Sequence, residues 1–113
     1  MSVRLAYRLR YGDREVSVYD DDAIYYKAHC TAENEVHINR DLPVLIWHET
    51  LLHELIHVAE QTALAEGAIT SCAPETYVEE IGKRLFALLA GNGFYCPRPP
   101  AWVQPAMDLD ATR

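Results

Sequence analysis

The chain has 113 residues, half of them hydrophobic and 24% charged, the makeup of one globular domain with room for a single thin core. A formal net charge of −7 and a pI near 5.1 exclude the broad basic face that electrostatic binding to nucleic acid needs, so no nucleic-acid partner is expected. No run approaches the roughly 18 apolar residues of a membrane span, no secretory h-region opens the chain, and cysteines 30, 72 and 96 are spaced neither as a disulfide framework nor as zinc-ligand pairs; a reducing cytoplasm is the expected compartment.

In chain order, Val3, Leu5, Tyr7, Leu9 and Tyr11 alternate with Arg4, Arg8 and Arg10, the period of a half-buried strand. Gly12-Asp13 marks a hairpin turn, after which Val16, Val18 and Tyr19 resume the pattern. Asp20-Asp21-Asp22 breaks it and reads as a solvated turn, since a calcium loop would need spaced ligands and a closing glutamate. Ile24 to Cys30 reads as a third strand. Val36 and Ile38, alternating with Glu35, His37 and Asn39, make a fourth.

The period then changes. Leu42 to Leu64 is spaced as a helix, with Asp41 as cap and Pro43 in the first turn. A connection containing Gly67 leads to a second helix over about Pro74 to Ala90, its apolar stripe Val78, Ile81, Leu85, Leu88 and Leu89, with Gly82 admitting a close neighbour. Gly91-Asn92-Gly93 ends it. The expected organisation is one domain over residues 1–95 followed by a proline-rich extended tail, 96–113, that carries Trp102. The expected fold is α+β: a small, mainly antiparallel sheet, the first helix packed beneath it, and the second returning across.

The chemistry lies in the first helix, in His53-Glu54-Leu55-Ile56-His57, an HExxH motif. Residues four apart on a helix sit one above the other, so His53 and His57 aim two imidazoles at one point, an arrangement suited to Zn2+. Glu54 stands beside that point, where a carboxylate can take a proton from an activated water and deliver it to a leaving amine. The competing reading is a polar ladder on an exposed face, with Glu49 and Gln61 four residues to either side. A third ligand must come from elsewhere. The second helix offers Glu79, the preferred candidate, and Glu75, the alternative; Glu80 points away and pairs with Arg84 four residues on. His48 is about 140° round the helix from His53 and serves packing or surface. His29 and His37 fall in the strand region, and Cys72 reads as a buried small hydrophobe. Tyr25, Tyr26, Tyr77 and Tyr95 are the candidate donors to an oxyanion, with nothing to choose among them.

Glu49 to His57, ETLLHELIH, preceded by the short extended segment Val36 to Asn39 and followed by Val78-Glu79-Glu80-Ile81-Gly82-Lys83-Arg84-Leu85-Phe86, resembles the short zincin-like metallopeptidases of phages and bacteria, distantly related to the ImmA/IrrE and SprT-like groups. The resemblance covers about Cys30 to Asn92 and is specific at HExxH. It implies a zinc hydrolase of peptide bonds in a bacterial or phage-infected cell, with Glu54 as general base and a following-helix glutamate completing the ligand set. The chain departs from the metzincin pattern, which continues the motif with a third histidine; here position 60 is Glu, and no histidine follows His57. The expected partner is a peptide or protein substrate, added as a strand to a sheet edge formed by Glu35 to Asn39. The second functional reading is a zinc-binding interaction or regulatory protein that binds peptides without cutting them.

Overall fold

In the computed structural model, which describes residues 3–31 and 34–97, the first hairpin pairs β1 (Val3–Tyr11) with β2 (Arg14–Asp21) around a two-residue turn. Gly12 sits there at φ +64°, a conformation that side chains disfavour. The chain then crosses to β3 (Ala28–Cys30) at the far edge and returns as β4 (Glu35–Asn39), which inserts between β2 and β3. The sheet order is β1-β2-β4-β3, antiparallel except where β4 lies parallel to β2. With the two helices that follow, the architecture is α+β.

The alternation of β1 does not run through. Register passes from Leu5↔Tyr19 to Tyr7↔Val18, leaving Ala6 as a bulge. A single extra residue reverses the facing of everything before it. Tyr7 and Leu9 therefore pack on the core, while Val3 and Leu5 are turned outward. Val16, Val18, Val36 and Ile38 form the inner face and are essentially inaccessible.

Two further expectations are corrected. Asp20 and Asp21 are not a solvated turn but the buried end of β2. Asp20 accepts a hydrogen bond from Trp47 Nε1 at 3.0 Å, and Asp21 accepts one from the Ala23 N–H at 2.8 Å and faces His37 Nδ1 at 2.9 Å. Each carboxylate is tolerated inside because it has partners. The segment Glu35–Asn39 is not an edge either, because β4 is bonded on both sides; the edge beside α1 is β3.

Helix α1 (Val44–Ala65) lies under β3 and β4, its Trp47, Leu51 and Val58 completing the core. Pro43, not Asp41, occupies the cap position, and no side chain caps the helix. Gly67, at φ +76°, turns the chain out of α1. Helix α2 (Glu75–Gly91) then runs back along the side of α1 away from the sheet. Its buried face is Val78, Gly82 and Phe86, whereas Ile81, Leu85 and Leu88 of the expected stripe remain 40%, 37% and 62% exposed. Among the regular elements α2 packs on α1 alone. Trp102 and the rest of the tail from 98 onward lie outside the described residues, and no described helix is long and apolar enough to cross a membrane.

Candidate metal centre

The i, i+4 spacing does what helical geometry demands. The His53 and His57 rings stand 4.9 Å apart, centre to centre, on the side of α1 that faces α2. The carboxylate that meets them is Glu75, in the first turn of α2: Oε2 lies 2.8 Å from His53 Nε2, and Oε1 lies 2.9 Å from His57 Nε2. Two lone pairs cannot face each other at such distances, so each gap is bridged by a proton or a metal ion. Two imidazole nitrogens and one carboxylate oxygen are a zinc donor set, and tetrahedral ligands about 2.0–2.1 Å from a common centre stand roughly 3.3 Å apart. One donor atom from each of the three side chains lies within 4.8 Å of the others. Donor atoms this near one another could reach that spacing by small side-chain shifts.

Glu79, the candidate preferred from sequence, is not brought to the imidazoles; its carboxylate pairs with Lys83 Nζ at 3.7 Å. The face that α2 presents to α1 accounts for this. At 100° per residue, Val78, Gly82 and Phe86 span about 80°, with Glu75 near 60° inside that arc and Glu79 near 100° outside it. Gly82 sharpens the effect, since a residue no larger than alanine there lets α2 lie close against Ile56 and His53.

Glu54 is only 8% exposed. Burial pushes its carboxyl above the ordinary carboxylate range, with Glu75 acting in the same direction and the His53 and His57 imidazoles and the Cys30 thiol opposing. Cys30, on β3, also faces Gln61 Nε2 at 3.6 Å. Burial and the Glu54 carboxylate push that thiol up. Around these groups opens a cleft of about 230 Å3. His53, Glu54, Glu49 and Thr50 line it on α1, with Tyr26, Lys27 and Ala28 on the β3 side and Glu75, Glu79 and Lys83 on α2.

The tyrosines separate. Tyr26 lines the cleft with its hydroxyl 2.9 Å from His29 Nδ1. Tyr25 and Tyr77 are 91% and 58% exposed. Tyr95 bonds the buried His48 and packs edge-on to Phe86; burial pushes its hydroxyl up to about 12. His48 is thus a packing residue. His29 and His37 stack with Tyr19 across β3, β4 and β2 on the face of the sheet away from α1. Cys72 is exposed, against the expected burial. Glu80 pairs with Arg84.

One participant escaped the sequence reading. Glu60, with a side chain only 13% exposed, stands 3.1 Å from His57 Nδ1 through Oε1 and accepts the Ala73 N–H at 2.9 Å through Oε2. Its position three residues after His57, on the same helix face, was the available signal. Comparison with known proteins finds no matching family model, curated protein or solved structure.

Proposed function

We propose that the chain is a zinc-dependent peptidase, its metal held by His53, His57 and Glu75. The observation that carries this reading is the convergence of both Nε2 atoms on one carboxylate, beside a buried Glu54 that lines the same cleft. Three protein ligands leave a fourth position, as catalytic sites do and structural sites do not. When bound, the ion would polarise a scissile carbonyl and bring the pKa of water to about 7. The residues divide the remaining work. Glu54 takes a proton from the attacking water and hands it to the departing amine. Tyr26 lines the wall opposite α2, its hydroxyl engaged with His29. The backbone of β3, an edge strand of the described sheet, receives an extended peptide as an added strand.

The test is metal content and peptide cleavage of untagged protein, with the Glu54→Gln variant alongside. About one zinc per chain in both proteins, with cleavage only in the wild type, is expected. Zinc in both and cleavage in neither would leave the non-cleaving binding protein as the better reading. No zinc in the wild type would overturn the metal centre.

A further inference from the structure

We infer that Glu60 is the positioning residue that makes the two helices into one ligand set, an inference that rests on the metal-centre reading. Its two carboxylate oxygens are used separately. Oε1 stands at His57 Nδ1. A carboxylate only accepts, and His57 Nε2 faces the Glu75 carboxylate as well, so a ring that gives Nε2 to a metal ion keeps its proton on Nδ1, at Glu60, and presents the Nε2 lone pair to the space shared with His53 and Glu75. Oε2 accepts the backbone N–H of Ala73, two residues before Glu75. The same side chain therefore sets the tautomer and rotation of one ligand and the distance of another.

The surroundings favour this role over a surface ion pair. Glu60 is largely buried, and Pro74 follows the tethered residue at once, restricting the backbone between the tether and the first turn of α2. No side chain caps α2, so capping does not fix where that helix begins. Carboxylates behind metal-binding histidines are worth about 10–100-fold in metal affinity, and a carboxylate that also ties down the segment bearing another ligand belongs at the upper end.

The experiment uses Zn2+ alone, competed against a chromophoric chelator, on wild type, Glu60→Gln, Glu60→Ala and Ala73→Pro. In parallel, the His57 tautomer is read by 15N NMR in metal-free protein at a pH well above the ordinary imidazole range, with Glu75→Ala added to each variant so that Glu60 is the carboxylate left at the ring. Glu60→Ala is expected to lose the Nδ1–H tautomer and about 30–100-fold in affinity. Glu60→Gln, whose amide has one accepting oxygen where Glu60 uses two, keeps one of the two contacts and falls between wild type and Glu60→Ala. Ala73→Pro removes the tethered N–H and leaves Glu60 and its contact with His57 in place, so it keeps the tautomer and still loses affinity. Circular dichroism establishes that each variant is folded, and if Glu60→Ala is not, the Gln and Pro variants decide. Zinc affinity within twofold of wild type in Glu60→Ala, or an unchanged tautomer there, overturns the inference. With Glu60→Ala unfolded, wild-type affinity in Ala73→Pro does so. A wild type that takes up no zinc defeats the metal centre itself, a different result.

Discussion

Replacing Glu75 by Ala separates the two glutamates most directly. Structural zinc sites with four ligands bind with about 10–16 kcal/mol, so one ligand is worth about 3 kcal/mol, or roughly 100-fold in affinity. At free zinc of about 100 times the wild-type Kd the ion adds about 2.7 kcal/mol to stability; after a 100-fold loss the same zinc adds only about 0.4 kcal/mol. For a chain of this size those increments correspond to zinc-induced rises in Tm of about 11 °C and about 2 °C. The metal-free variant should differ little from wild type. The Glu75 side chain is 65% exposed, and ion pairs to so exposed a group contribute about 0–1 kcal/mol. Glu79→Ala, which loses only the pairing with Lys83, should keep the full rise. Differential scanning fluorimetry with and without zinc reads all three proteins. A full rise in Glu75→Ala, or a lost one in Glu79→Ala, would refute the ligand assignment.

Asp20→Asn addresses the buried carboxylate of β2. Burial raises the Asp20 pKa, with the Trp47 hydrogen bond and Arg40 opposing. The folded state thus holds a proton that the unfolded state has already lost, and stability falls as pH rises from about 4 through the folded value. Asparagine keeps an oxygen for Trp47 and lacks this slope, so urea unfolding should show the variant gaining on wild type as pH climbs; parallel profiles would refute the account. Gly82→Ala places a methyl 3.7 Å from Ile56 Cδ1 and 3.8 Å from His53 Cα, ordinary contact distances. It should therefore raise stability by about 0.5–1 kcal/mol through helix propensity. Gly82→Leu should instead force α2 off α1 and weaken zinc binding in the same titration.

The parts legible in the sequence are those that depend on near neighbours. His53 and His57 meet because helical geometry makes them meet, and the Gly12-Asp13 hairpin follows from turn chemistry. What was hidden depends on partners far along the chain. Asp20 and Asp21 look like surface until Trp47, 27 residues on, and His37, 16 residues on, are folded against them. The bulge at Ala6 is invisible in a pattern that alternates without fault, because register belongs to the partner strand. The choice between Glu75 and Glu79 turned on which face of α2 is buried. There a glycine, which carries no hydrophobic signal, mattered more than Ile81 or Leu85. The edge strand was misplaced because strand order in a sheet need not follow chain order.

Among the described strands and helices α2 rests on α1 alone, which makes it the element cheapest to release. Val78, Gly82 and Phe86 are its buried residues, and no described strand holds it from behind. Opening of α2 without loss of the sheet is then a distinct, low-lying excursion of the native state. Each such opening withdraws Glu75 from the imidazoles, so an ion that grips all three ligands closes the helix as it binds. Amide protons of α2 should exchange at a rate set by free zinc, while those of β2 and β4 exchange as before, making the backbone of one helix a direct gauge of how much metal the protein holds.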